Sequence, residues 1–447
     1  TTPPPHRMAP MAHFHPASDP ADDAELAGDD ADPELLTAEV RVDGFGERLL
    51  GSLLDRSHTM PPQQIPPLIA HEISTIGGRD VTVLLQDYDQ MTLVPLPGER
   101  LVLGPPQPID DSLAGLAFQT DQIVQTRRQG SVRLYVPLLD GVDRVGVLAF
   151  TLDDLDDLDE EARPWVRRLA GLVADILVTK SLYTDQFFQA RRRRPMSLSA
   201  EMQWQLLPPL MMSTPQVSVA GALEPAYDVA GDSFDYALNG PILHVCMIDA
   251  MGHGLDAAVM ATLAIGAYRH ARRTNVELAD LYAAMDAAVS SQFEPDRFAT
   301  AQMARLDVGT GRLEWVNAGH PPPLLIRHAR VVGELDSPTT LPVGFGGATP
   351  IVTERMLQPG DRVLFFTDGL TEEHISGGAE FGEARLHELV ERVETDGVPV
   401  QESVRRLSGI LMRARGGSTN DDSTLLMIEW KGDSADGRAV AGSPEIG

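Results

Sequence analysis

The stretch that decides the fold is ILHVCMIDAMGHGLDAAVMA, residues 242–261. Its apolar first part predicts a buried strand that ends at Asp249. Gly252 and Gly254 allow a tight turn, because glycine adopts backbone angles that other residues avoid. The Ala-rich run after them predicts a helix. The stretch therefore predicts a strand–turn–helix unit that holds Asp249 at the edge of a sheet.

Three further aspartates stand in comparable places. Asp232 lies in YDVAGDSFDY, Asp368 follows the apolar run of DRVLFFTDGLTE, and Asp421 precedes the strand-like STLLMIEW. Carboxylate oxygens are the ligands that Mg²⁺ and Mn²⁺ prefer, and two such ions can clamp a phosphoryl displacement. A turn role remains the alternative for any one of them, since Asp-Gly is common in turns. Four together favour a metal site.

Composition excludes several classes of protein. A net charge of −29 over 447 residues argues against nucleic acid or an anionic membrane surface as the main partner. The single cysteine, Cys246, excludes a disulfide framework and any multi-cysteine metal site. No apolar run approaches the ~20 residues that a membrane span needs. These features predict a cytoplasmic protein of two or three domains without a membrane segment.

The N-terminal third predicts a tail and a sensor-like domain. Residues 1–33 are rich in Pro, Asp and Ala without periodicity and predict disorder, as does the polar tail 432–447. Residues 34–155 mix helix and strand patterns. The motifs SLAGLAFQTDQIV and VPLLDGVDRVGVLAF in this region resemble a GAF sensory domain. That resemblance implies either a small-molecule ligand or a purely structural, dimerising role.

Residues 156–212 predict a helical linker. Apolar side chains recur at helical spacing from Trp165 to Phe187, and four arginines close the run. This stripe predicts either packing on the sensor-like domain or a stalk that forms a homodimer. A second short helix is predicted in SLSAEMQWQLLPPL, ended by its two prolines.

Seven motifs occur in a fixed order along the C-terminal half: VAGDSFDY, IDAMGHGLDAAVMA, RFATAQMARLD, WVNAGHPPPLLI, LPVGFG, VLFFTDGLTEE and DDSTLLMIEW. In this order they resemble the bacterial PPM-type serine/threonine phosphatases of the SpoIIE/RsbU kind. The resemblance implies that residues 213–431 form an αββα sandwich with a dinuclear Mn²⁺ or Mg²⁺ centre. The fold class is then α+β, with the GAF-like domain and helical linker before the sandwich.

The resemblance also assigns roles to matching residues. Asp249 is expected to bridge both ions. The carbonyl of Ala250 and the carboxylate of Asp232 are expected to bind one ion, and Asp368 and Asp421 the other.

Neighbouring residues receive weaker assignments. Asp422 is expected just outside the ligands, and Asp235 has no assigned role. His253 is expected to help start the helix, with general acid catalysis as the alternative. A loop near the site is expected to be shaped by Asn317, Gly319 and His320.

The function that the resemblance implies is a metal-dependent phosphatase acting on phosphoserine or phosphothreonine in a protein. The expected substrate is a phosphorylated STAS-type anti-sigma-factor antagonist, and the GAF-like domain is expected to regulate the enzyme. Two alternatives remain at this point. A catalytically silent scaffold is disfavoured by the four aspartates. A metal-dependent phosphodiesterase is disfavoured by the lack of an evident nucleotide-binding loop.

Overall fold

The protein is described here by a computed structural model. It describes residues 50–128, 130–153, 158, 160, 162–228, 231–347, 349–370, 382–414 and 422–432. These residues all belong to one compact unit that begins at Leu49. The predicted tail 1–33 and all but the first residue of the predicted tail 432–447 lie outside the described residues.

The N-terminal part is built around one antiparallel sheet. Its strands are β1 (Gly78–Gln86), β2 (Thr92–Pro95), β3 (Gln107–Pro108), β4 (Val124–Arg128), β5 (Ser131–Asp140) and β6 (Asp143–Asp153). Its helices are α1 (50–59), α2 (Ile65–Thr75), α3 (Leu113–Thr120) and α4 (Arg163–Ser181), with a 3₁₀ turn at Pro62–Gln64. The strand order is β3-β2-β1-β6-β5-β4. Gly141, at φ 61°, makes the two-residue turn of the β5–β6 hairpin, because this turn needs a positive φ.

Helices cover both faces of this sheet. On one face of the sheet lie the side chains of Val83, Leu134 and Phe150, each from a different strand. There they pack against helices α2 and α4. The other face is covered by α3, whose Phe118 is fully buried. The mixture of helices and strands predicted over residues 34–155 is therefore present in the described part of that range. The GAF-like character of this part stays a prediction.

The predicted helical linker is divided into separate helices. The apolar side of α4 (Leu169, Val173, Leu177) is buried against its own sheet. The chain then forms α5 (Gln186–Arg191) and α6 (Leu198–Leu206). Tyr183, between α4 and α5, is 60% exposed, so the stripe is interrupted where the helix ends. Packing on the chain's own domain, one of the two predicted alternatives, thus describes α4.

The C-terminal part contains two antiparallel sheets and two pairs of helices. Their strands are β7 (Met211–Ser213), β8 (Val217–Glu224), β9 (Asp232–Asn239), β10 (Ile242–Ala250), β11 (Ala299–Asp307), β12 (Arg312–Ala318), β13 (Leu324–Arg327), β14 (Arg330–Glu334), β15 (Thr353–Met356), β16 (Asp361–Phe366) and β17 (Ser423–Trp430). The helices are α7 (Leu255–Arg272), α8 (Leu278–Gln292), α9 (Gly382–Thr395) and α10 (Val400–Ala414). A 3₁₀ turn covers Asp368–Leu370.

These elements stack in four layers. One sheet has the order β15-β12-β11-β10-β9 and the other β14-β13-β16-β17-β8-β7. Phe234 and Met247 of the first sheet share a core with Val219 and Phe365 of the second. The outer faces are covered by α7 with α8 on one side and α9 with α10 on the other. The predicted αββα sandwich is confirmed.

Elements that precede residue 213 also contact the sandwich. Strand β7 pairs with β8, and α6 packs against α7. Ser197 caps α6 by accepting a hydrogen bond from the amide of Ala200, and the carbonyl of Leu206 at its other end accepts one from Arg269. Helix α6, predicted as part of the linker, is thus anchored to the C-terminal sandwich.

The N-terminal part and the sandwich meet through buried charged groups. Arg144 of β6 donates to Glu402 of α10 at 3.0 Å and to Asp121 at 2.9 Å. Arg405, one turn along α10, binds Glu402 and reaches Asp110 at 2.9 Å. The side chains of Arg144, Glu402 and Arg405 are each at most 3% exposed. We refer to these five residues as the junction network.

No helix in the described ranges has both the length and the apolar character that crossing a bilayer requires.

Candidate functional site

Asp232 and Asp249 lie directly opposite each other on neighbouring strands. Strands β9 and β10 are antiparallel, and the two aspartates are partners in the register. Side chains alternate along a strand, and Phe234 and Met247 of these strands point between the two sheets. The same alternation puts both carboxylates on the inner face, at the end of the sandwich where α7 starts. Sequence alone did not show that residue 232 opens a strand.

A threonine from the second sheet holds Asp232. The Thr367 hydroxyl donates a hydrogen bond to Oδ2 of Asp232 at 2.6 Å and accepts one from the amide of Thr424 at 2.9 Å. Asp232 is 1% exposed and Thr367 is fully buried. Because Thr367 follows β16 and Thr424 lies in β17, this contact fixes the carboxylate of one sheet against the backbone of the other.

Asp422 holds the backbone beside Asp232. Its Oδ2 accepts a hydrogen bond from the amide of Gly231 at 2.7 Å. Its own carbonyl lies only 1.8 Å from the point where a Cβ would stand on Gly369, so residue 369 has to be glycine. The turn that starts at Asp368 therefore packs directly on the backbone of Asp422. Asp422 thus supports the backbone on which Asp232 stands.

The carbonyl oxygen of Ala250 lies beside Gly231, where the absence of a side chain leaves it unobstructed. A Cβ on Gly231 would stand 2.6 Å from this oxygen, closer than side-chain carbons are found. The amide of Ala250 donates to the carbonyl of Gly231 at 3.1 Å, so the two segments are in register. Glycine at position 231 thus leaves space beside an oxygen that could bind a cation.

The electrostatics of the cluster favour a bound cation. Burial raises the pKa of Asp232 well above its ordinary value, and the negative charges of Asp249 and Asp422 raise it further. A divalent cation among these oxygens would reverse both effects, because it stabilises the ionised carboxylates. The donors fit a hard cation such as Mg²⁺ or Mn²⁺.

The described residues give only part of such a site. Within them, no group of three or more His, Cys, Asp or Glu side chains is already arranged to hold a metal ion. Asp421, the fifth predicted ligand, lies outside the described residues. Asp368 is described, is half-buried, and starts the 3₁₀ turn two residues beyond β16 rather than ending the strand.

The loop after Asp249 turns on two glycines, as predicted. Gly252 has φ 98° and Gly254 has φ 74°, and Gly254 is the N-terminal cap residue of α7. His253 between them is exposed.

His320 ties the two sheets together next to the site. Its Nε2 lies 3.1 Å from the carbonyl of Phe366 and its Nδ1 lies 2.6 Å from the hydroxyl of Thr300. A carbonyl only accepts, so Nε2 carries the proton and Nδ1 accepts from Thr300. Asn317 closes the loop with hydrogen bonds to the backbone N–H and C=O of His320. Burial lowers the pKa of His320 to about 4, which keeps the ring neutral.

Two residues noted in the sequence lie outside this cluster. Asp235 points from the opposite face of β9 to α7, where it binds Arg269 at 2.7 Å and Arg272 at 2.6 Å. This pairing is structural and joins α7 to the sheet. Cys246 is fully buried, and burial raises the pKa of its thiol well above normal, so it cannot act as a nucleophile.

Sequence reasoning missed the groups that support the carboxylates. Gly231, Thr367 and Gly369 each flank a predicted aspartate, in the pairs GD, TD and DG, respectively. These residue pairs are visible in the sequence, but they look like ordinary turns until the structure shows which strands lie opposite each other in the sandwich.

Comparison with known proteins places the C-terminal half among characterised domains. A family model described as Stage II sporulation protein E (SpoIIE) matches residues 241–431. Phosphoserine phosphatase RsbP of Bacillus subtilis (strain 168) is 22% identical over 193 residues, covering 42% of this chain and 47% of RsbP. Phosphoserine phosphatase RsbU of the same organism is 20% identical over 245 residues, covering 54% of this chain and 72% of RsbU.

The chain therefore spans about half the length of the first of these relatives. Among solved structures, the SiaA-PP2C domain of Pseudomonas aeruginosa is 22% identical, with a TM-score of 0.44. The match covers 52% of this chain and 94% of that domain.

Proposed function

We propose that the C-terminal half of this chain is a SpoIIE-type phosphatase domain of the PP2C kind, homologous to RsbU and RsbP. On that premise, the protein is a metal-dependent phosphoprotein phosphatase. Its substrates are proteins that carry phosphoserine or phosphothreonine. The observation that carries this proposal is the pairing of Asp232 with Asp249 at one end of the sandwich beside Asp422, where burial and the charges of Asp249 and Asp422 disfavour the ionised form of Asp232 without a cation.

The proposed ligands divide between two Mn²⁺ or Mg²⁺ ions. Asp249 would serve both ions, the carbonyl of Ala250 and the carboxylate of Asp232 would hold one, and Asp368 with Asp421 would hold the other. Bound ions of this kind polarise the phosphate and make a hydroxide nucleophile available near neutral pH. The chemistry then requires no nucleophile from the protein, in agreement with the inert thiol of Cys246.

The chain's own contribution is to orient these oxygens before substrate arrives. Thr367 holds one oxygen of Asp232 with a hydrogen bond of 2.6 Å. Asp422 and Gly231 fix the backbone on which Asp232 stands. Supporting hydrogen bonds of this kind hold metal ligands in the required geometry and raise metal affinity.

The substrate proposal rests on the family likeness. We propose that the phosphoprotein is a STAS-type anti-sigma-factor antagonist, whose dephosphorylation frees a sigma factor in a partner-switching pathway. Two curated relatives are named phosphoserine phosphatases, which agrees with this chemistry. We place the protein in the cytoplasm and propose that it acts as a homodimer.

We propose that the N-terminal part is a GAF-like regulator of the phosphatase. Two contacts support this: α6, which leads into the sandwich, packs on α7, and the junction network joins Arg144 to Glu402. A cavity of about 330 Å³ lies at this joint, lined by Gln86, Arg191 and Trp204 among others. Its size is at the lower end of the range for small-molecule sites. A small ligand in this cavity would contact Trp204 of α6 and also Arg144, which binds Glu402 of α10.

The test is a comparison of three substrates with and without Mn²⁺: a phosphoserine peptide, an aryl phosphate and a cyclic nucleotide. We expect Mn²⁺-dependent hydrolysis of the first two and a loss of at least about 10³-fold in Asp249→Asn, which removes the bridging carboxylate. Arg312→Ala, an exposed change at the far end of β12, is the matched control. Hydrolysis of the cyclic nucleotide alone would indicate a phosphodiesterase, and inactivity on all three a silent scaffold.

A further inference from the structure

Arg297 lies against the loop that follows Asp249. It precedes β11 by two residues, and β11 pairs with β10 along its whole length. The amide of Met251 donates to the carbonyl of Phe298 at 3.0 Å, which joins the two segments beyond the sheet. Nη1 of Arg297 stands 3.4 Å from the point where a Cβ would lie on Gly252. The guanidinium therefore lies beside Gly252, three residues beyond the proposed bridging ligand.

The charge of Arg297 is only loosely engaged. Its Nη2 lies 3.4 Å from Oδ2 of Asp256, a long contact to a side chain that is 81% exposed. By contrast, Arg272 meets Asp235 at 2.6 Å, with the carboxylate nearly buried. Exposed pairs contribute little to stability, so the Asp256 contact does not account for an arginine at this place. Arg297 is itself 32% exposed and can reach a group arriving from solvent.

We propose that Arg297 binds the phosphate dianion of the phosphoprotein substrate. Guanidinium is a planar fork that matches two phosphate oxygens, and it remains charged at every relevant pH. A dianion that approaches the carboxylates of Asp232 and Asp249 also needs a cation besides the metal ions to balance the negative charge of these groups. The position of Arg297 beside the glycine loop supplies that cation without taking a ligand position.

This inference rests on the proposed function and adds a residue that determines substrate binding. Its rival is a purely structural role, in which Arg297 steadies the start of α7 through Asp256. Asp256→Asn separates the two, because it removes the ion pair and leaves the guanidinium in place. Under the phosphate-binding role it should leave substrate affinity unchanged. Under the structural role it should reproduce the arginine variants.

The experiment uses the full chain loaded with Mn²⁺ and the variants Arg297→Ala, Arg297→Lys, Asp256→Asn and Arg312→Ala. KM and kcat are measured on a phosphoserine peptide, and the Kd of inorganic phosphate is measured by calorimetry. Arg297→Ala removes the proposed charge-assisted hydrogen bonds to phosphate at a partly exposed site. We therefore expect KM and the Kd of phosphate each to rise about tenfold in this variant. Arg297→Lys, which keeps the charge but not the fork, should fall between this variant and the wild type. The Mn²⁺ concentration for half-maximal activity should not change.

The inference is overturned if Arg297→Ala binds phosphate as the wild type does, or if Asp256→Asn reproduces its KM. Should Arg297→Ala fail to fold, Arg297→Lys decides by the same two constants. If the wild type hydrolyses no phosphopeptide, the proposed function fails, and the phosphate titration still decides the role of Arg297. A wild type that binds no phosphate also overturns the inference.

Discussion

Glu402 is the residue on which the junction between the two parts of the chain depends most. Its carboxylate accepts four charge-assisted hydrogen bonds, from Arg144, twice from Arg405, and from Arg406, at 2.8–3.0 Å. Burial alone would raise the pKa of Glu402, but hydrogen bonds and charge from these arginines bring it below its ordinary value. The carboxylate is thus held ionised inside the protein.

Glu402→Gln should therefore be strongly destabilising. Glutamine offers one acceptor oxygen in place of two and turns an N–H₂ group toward guanidinium donors. Removing one partner of a buried ion pair costs about 3–5 kcal/mol, against a total stability on the order of 5–15 kcal/mol. Arg312→Ala, which breaks the exposed pair with Glu354, should cost at most about 1 kcal/mol.

The assay is a double-mutant cycle on the full chain, with Arg144→Met, Glu402→Gln and the double variant followed by urea unfolding. Because the two side chains meet across the junction, the double variant should be more stable than the sum of the single changes predicts, by at least about 1 kcal/mol. Phosphatase activity of the same variants reports whether the junction also controls the site. If the changes in unfolding free energy of the two single variants add up to that of the double variant within about 0.5 kcal/mol, the two side chains are not coupled and the reasoning is refuted.

Three further predictions follow from single contacts. Thr367→Val removes the hydrogen bond to Asp232 and should weaken Mn²⁺ activation about 10- to 100-fold, with kcat at saturating metal less affected. Gly369→Ala places a Cβ 1.8 Å from the carbonyl of Asp422 and should cost about 1–3 kcal/mol or more in thermal unfolding, whereas alanine at the open position Gly266 provides the control. His244 has a pKa lowered to about 4 by burial and nearby guanidinium groups, so the folded state binds its proton more weakly than the unfolded chain does. Stability should fall as the pH drops below about 6.5, by about 2 kcal/mol at pH 5, and a His244→Gln variant with an unchanged pH profile would contradict this.

The αββα sandwich was predicted from the resemblance of seven ordered motifs to a known phosphatase family, and apolar runs such as ILHVCMI predicted individual strands. β10 and the glycine turn before α7 were predicted from 242–261, and the structure places both there. The pairing of Asp232 with Asp249 could not be predicted, because register depends on partners that are distant in the chain. The hold of Thr367 on Asp232 was likewise out of reach, since it spans 135 residues and two sheets.

The helical linker shows a second limit of prediction from sequence. An apolar stripe at helical spacing states that α4 has a buried side, but it does not state what covers that side. In the structure the cover is the chain's own N-terminal sheet, and Arg144 and Glu402 make a contact that no local pattern indicates. Contacts between distant charged residues were the part of the architecture least accessible to sequence reasoning.

The bridge made by His320 has a consequence for how the two sheets are held beside the site. One ring nitrogen is bonded to Thr300, the register partner of Asp249 on the first sheet. The other is bonded to the carbonyl of Phe366, two residues before Asp368 on the second. One imidazole therefore links the strand paired with that of Asp249 to the segment that leads to Asp368, and the two sheets cannot slide past each other here without breaking one of its hydrogen bonds. A rigid aromatic ring thus acts as a spacer between the two halves of the sandwich beside the predicted carboxylates.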